Sequence, residues 1–174
     1  MLKRLLSLGA AAAAALVGGC DGPVTIAGTW RSPAAASSLV YATTGGPLWV
    51  DVHGSPFGAA APEFRAKVVE AMSGQTPSRP FGLTAVREQA VHPDFRVAVA
   101  FGPPADLDPK LLCTGGPVPT TPPGAERITL LAAFCGGEDV LAWVRGRVDK
   151  ATGPDDKRFR SLLAQAARDL FAGP

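Results

Sequence analysis

Arg127-Ile-Thr-Leu-Leu-Ala-Ala-Phe-Cys-Gly-Gly-Glu-Asp-Val-Leu-Ala-Trp-Val-Arg-Gly-Arg-Val148 decides the fold. Ile128 to Phe134 is a continuous apolar run of the kind that forms a buried strand. Cys135-Gly-Gly-Glu-Asp139 supplies turn chemistry, because Gly136 and Gly137 are free to take positive φ. Val140 to Val148 is apolar again and β-branched at several positions. The stretch therefore predicts an antiparallel hairpin over 127–148, the nucleus of a sheet.

Working outward, Asp94-Phe-Arg-Val-Ala-Val-Ala-Phe101 alternates strictly. Phe95, Val97, Val99 and Phe101 share one face; Arg96 and two alanines share the other, which predicts a strand with one core face and one partly covered face. Leu48-Trp-Val-Asp-Val-His53 alternates the same way, and Leu39 to Thr43 and Leu83 to Glu88 are weaker strand candidates. Pro62 to Met72 reads as a helix: Pro62 suits the first turn, Glu63 complements the dipole, and Phe64, Val68, Ala71 and Met72 fall on one face. A second helix spans 155–172, with Asp155 or Asp156 as N-cap and Phe159, Leu162, Leu163, Ala166 and Leu170 as its stripe. The expected architecture is α+β. It is a two-layer sandwich, with an antiparallel or mixed sheet of four to six strands and helices 61–73 and 155–172 on one face. One domain is expected over residues 38–174. The stretch 20–37, rich in Gly, Pro, Ala and Ser, reads as a flexible tether. Trp30, its only large residue, either packs on the domain or sits at the headgroup level of a membrane.

The N-terminus carries Lys3 and Arg4, an apolar run from Leu5 to Val17, and Val17-Gly18-Gly19-Cys20. This resembles a bacterial lipoprotein signal, residues 1–19, closing on a lipobox. The apolar run is too short to span a bilayer comfortably, which takes about 20 residues. The resemblance implies that Cys20 becomes the first mature residue and carries covalent lipid. The protein would then hang from the inner or outer membrane, with its domain in the periplasm. No other cofactor is expected. The charge balance follows: of 17 basic residues Lys3 and Arg4 leave with the signal, so the mature chain is neutral against 15 acidic ones. It has no basic field for nucleic acid.

Lipidation of Cys20 leaves Cys113 and Cys135, which have one possible pairing, and export favours the bond. Cys113 lies in the stretch 102–125, where seven prolines predict an irregular loop. A disulfide to Cys135 would pin that loop. Pro93-Asp94-Phe95-Arg96-Val97, Trp143-Val144-Arg145-Gly146 and the closing helix are similar to a class of small envelope lipoproteins of unknown function. The likeness covers residues 60–172. It implies a two-layer domain of helices on a sheet and carries no catalytic or metal-binding residue across. The chain departs from that class by the Val between Trp143 and Arg145, by the proline loop and by the cysteine pair.

Asp51, His53 and Ser55 cluster at one strand end, and His92 and Asp94 precede another strand. A Ser-His-Asp relay needs convergence in space, and positions i to i+4 on one strand spread over about 13 Å. A metal site would need the two clusters to meet. The expectation is therefore a non-catalytic binding or envelope-assembly module with a membrane and an envelope protein as partners. One alternative is a small hydrolase or metalloenzyme using Asp51, His53, His92 and Asp94. The other is a carrier of an apolar ligand held between sheet and helices.

Overall fold

The hairpin forms as the sequence requires, and the sheet grows from it. In the computed structural model, which describes residues 22–76 and 80–172, Arg127–Gly136 (β5) and Asp139–Asp149 (β6) pair antiparallel. Gly137 opens the two-residue turn with φ 60, the sign that a tight hairpin demands at that position. Phe95–Phe101 (β4) pairs antiparallel with β5, and Leu48–His53 (β2) pairs parallel with β4. The two-residue Leu83–Thr84 (β3) adds parallel to β2. Val24–Ala27 (β1) closes the opposite edge, antiparallel to β6. The result is a mixed six-stranded sheet in the order β1-β6-β5-β4-β2-β3. The α+β sandwich with helices on a sheet is as expected.

Ala61–Met72 (α2) and Lys157–Phe171 (α4) lie on one face, packed against Val50, Val97, Val99, Leu130 and Val144. The Asp156 side chain caps α4 by accepting from the Arg158 amide. The layer's centre is aromatic: the Phe159 ring lies 5.6 Å from Phe101 and 4.9 Å from Phe57, and Phe64 lies 5.2 Å from Phe101. Such edge and tilted pairs add to the burial itself.

Three local expectations are corrected. Leu39 to Thr43 is not a strand: Ala35–Ala42 is a helix (α1). Alanine is the best helix former, and Ala35, Leu39 and Ala42 turn one face to the core. The stretch 20–37 is not a tether throughout. From Val24 it is strand, and the pairing extends past it, with Gly28 and Ser32 amides each donating to β6 carbonyls at 2.8 Å. The cause is β6 itself, an 11-residue strand whose outer edge would otherwise stand unpaired. Arg31 then donates to the carbonyls of Asp169 and Leu170, satisfying the end of α4. Gly28 is required there: a Cβ would stand 2.4 Å from the Trp143 ring. The folded unit therefore starts before residue 38. Finally, the proline loop holds one helical turn, Lys110–Cys113 (α3).

That turn sits on the face of the sheet opposite α2 and α4. Leu107, Leu112 and Cys113 cover Ala98, Ala100, Leu131, Ala133 and Cys135. The alanines make the floor low enough for a loop to lie on it. A Cys113–Cys135 disulfide, Cα atoms 5.4 Å apart, staples α3 to β5. Replacing both cysteines with alanine should lower the free energy of unfolding by about 3 kcal/mol, the chain-entropy value for a loop of this size. Chemical denaturation of the oxidised protein against the variant measures it. An unchanged midpoint would mean that the apolar contacts of α3 hold the loop without the bond.

Candidate functional site

The candidate polar residues all belong to the second face or its ends. Strand alternation places Trp49, Asp51 and His53 on the side of β2 away from the helices, while Leu48, Val50 and Val52 are buried in the main core. The parallel register sets Trp49 beside Arg96 and His53 beside Ala100. Arg96 is 8% exposed. Its guanidinium donates to the Cys113 carbonyl at 2.5 Å and to the Gly137 carbonyl at 3.3 Å, tying the stapled turn to the hairpin tip. The Arg87 and Arg96 guanidiniums lie 5.6 and 5.8 Å from the Trp49 ring centroid, within cation–π reach.

Asp51 Oδ2 lies 3.2 Å from His53 Nε2, both side chains about three-quarters buried. Burial by itself would push the Asp51 carboxyl up. The polar contact with His53, its charge when protonated, and the charges of Arg96 and Arg65 outweigh burial, so the carboxyl is held below the ordinary aspartate range. The contact is short but poorly aligned, and His53 Nε2 and the Ser55 hydroxyl are both buried without a hydrogen-bond partner. In a nucleophilic relay one ring nitrogen engages the serine and the other the carboxylate. Here His53 Nε2 faces the Asp51 carboxylate at ion-pair distance, and no hydrogen bond links His53 to Ser55.

His92 and Asp94 are elsewhere. Asp94 precedes β4 at the end opposite His53, and six residues of strand at ~3.3 Å each put them roughly 20 Å apart. The His92 ring is 4.1 Å from Tyr41. The His92 carbonyl accepts from Phe95, and the Asp94 carbonyl accepts from Gly137. These residues shape the turn into β4. The structure thus brings Asp51 and His53 together and does not bring them to His92 and Asp94, which removes the geometry that a shared hydrolytic or metal centre would need. Among the described residues no group of three His, Cys, Asp or Glu side chains is placed to hold a metal ion. The loop after His53 does meet the proline loop, through the Gly124 amide and the Pro56 carbonyl, whereas residues 90–94 lie at the far end. Cys20 lies outside the described residues, and among those described no helix is long and apolar enough to cross a membrane.

Sequence reasoning missed Val24 and Ile26, 45% and 67% exposed on β1. The signal was present as a β-branched triplet, Val24-Thr-Ile26, inside a Gly- and Pro-rich stretch.

The chain matches no family model and no curated protein. Solved structures similar to it include two of the PelC dodecamer from Paraburkholderia phytofirmans, one a point variant. They are 10% and 9% identical, with TM-scores of 0.45 and 0.44, and each covers 87% of this chain and 99% of the other. At those values the likeness assigns neither a partner nor a chemistry.

The lowered Asp51 carboxyl has a pH consequence. A carboxyl whose folded value lies below its unfolded one adds stability above the unfolded value, near 4, and loses it as pH falls through the folded value. Asp51→Asn should therefore cost about 1 kcal/mol at neutral pH and nothing once pH is below the folded value. Denaturant midpoints across that range test it; a cost that persisted in acid would assign the loss to packing.

Proposed function

We propose that the protein is an envelope lipoprotein, anchored through lipid on Cys20, whose domain is a binding or assembly module rather than an enzyme. The observation that carries this reading is how its exposed apolar side chains are grouped. Val40, Tyr41, Val86 and Val91 are each at least two-fifths exposed. Tyr41 and Val91 gather at the end where β2 and β4 begin: Tyr41 packs on His92, and Val91, the neighbour of His92 in sequence, lies against Gly46. An apolar cluster of this kind, with few charges among its members, suits a protein partner. Of the polar groups that could do chemistry, Arg96 and the main chain of His92 and Asp94 hold turns, while His53 Nε2 and the Ser55 hydroxyl have no hydrogen-bond partner with which to relay a proton.

Carriage of an apolar ligand is the second reading. A cleft of about 200 Å³ between α1 and α4 is lined by Leu39, Phe81, Phe134 and Phe171. It is smaller than the roughly 300 Å³ at which ligand pockets begin, so the assembly reading is preferred.

Mass spectrometry of the mature chain should find Cys20 as the acylated first residue, and Cys20→Ser should release the protein from membranes. Crosslinking of the full chain in membranes should recover one specific envelope protein, and Tyr41→Asp should reduce that yield several-fold. Recovery of only bulk lipid and abundant porins would reject the assembly role.

A further inference from the structure

The edge strand β1 begins close to the proposed anchor, and its outer face is apolar. Val24 lies opposite Arg147 and Ile26 opposite Arg145 in the ladder, so both point to the face away from the helices. Thr25 points the other way, where its hydroxyl hydrogen-bonds Asp169 of α4. Beside Val24 and Ile26 runs an open hollow of about 250 Å³ floored by β5 and β6 and walled by Pro103 and Ala105. Trp30, 55% exposed, stands next to Trp143 and Lys110 on the same side.

We propose that this face, Val24, Ile26 and Trp30, seats in the interfacial layer of a phospholipid bilayer. The inference rests on the lipid anchor at Cys20. Four chain steps separate Cys20 from Val24, at most about 14 Å when fully extended. The headgroup layer of one leaflet is roughly 5–8 Å thick. A domain whose first paired residue is Val24 is therefore held within about two headgroup-layer thicknesses of the lipid, and β1 is the element nearest it. An indole and two aliphatic side chains are the residue types that the interfacial layer accepts.

The charges near the face are mixed. Arg147 and Lys110 are opposed by Asp108 and Asp139, while Arg145 donates to the Leu107 carbonyl and lies over Trp143. The lipid recognised is therefore a zwitterionic surface, entered by apolar side chains, and not an anionic one reached by charge.

The test uses the full lipidated chain in phosphatidylcholine vesicles, with an environment-sensitive fluorophore on Ile26→Cys and, as a control on α4, on Ser161→Cys. The probe at position 26 should shift to the blue and lose roughly half its emission to spin-labelled lipid, as an interfacial side chain would, while the probe at 161 should not respond. A solvent-like probe at 26 on protein of verified acylation would overturn the proposal and leave the anchor standing. A probe shielded from water yet unquenched by lipid would also overturn it, assigning the face to a second copy or a protein partner. A mature chain without lipid would end the anchoring reading and this one with it. If Ile26→Cys fails to fold, quenching of Trp30 as the sole indole, in a Trp49→Phe/Trp143→Phe variant, reads the same contact.

Discussion

The pairing of Val24–Ala27 with Val144–Arg147 is the constraint on which the molecule's placement depends. It completes the sheet at the β6 edge and carries the chain across Trp143 at Gly28. It also brings Arg31 to the carbonyls that end α4. Each step is local, but together they turn what reads as a linker into the outer wall of the domain. A long flexible tether would let a domain sample a wide shell above its anchor. With the proposed lipid on Cys20, four residues would not, and the orientation of the domain would then be set by which face of β1 looks outward.

A second division of labour follows from side-chain size. On the helix face, β4 and β5 carry Val97, Val99, Phe101, Leu130 and Phe134, which fill the space under α2 and α4. On the other face the same strands carry Ala98, Ala100 and Ala133, which leave room for a loop rather than a helix layer. The disulfide and the Arg96 guanidinium both act on Cys113, one through its sulfur and one through its carbonyl. A loop dense in proline is thereby held without a ladder of its own. The cost is that Arg96, the most conspicuous charge of β4, is committed to structure.

Periodicity made much of this legible. The hairpin, β4, β2, α2 and α4 follow from alternation or helical spacing over six residues or more, where the pattern is strong enough to outweigh composition. The elements that escaped are short or compositionally biased. β1 has four residues and owes its existence to the open edge of β6, which lies more than 100 residues away in the chain. Alanine and serine serve equally in linkers and helices, and only the packing of Ala35 and Ala42 selects helix for α1. At the candidate site, the i, i+2 spacing correctly placed Asp51 beside His53. The distance to His92 and Asp94 was not readable, because it depends on β2 and β4 running parallel, a consequence of the crossover through α2 that no local spacing encodes.

Hydrogen exchange on the full chain tests the central claim most directly, by reading the amides of Gly28 and Ser32, which bond the Trp143 and Leu141 carbonyls. If the domain begins at β1, these amides exchange far more slowly than a free coil and respond to denaturant together with the β6 strand. Coil-like exchange at both positions, with the β5–β6 hairpin still protected, would return residues 24–34 to the role of a tether and contradict the account.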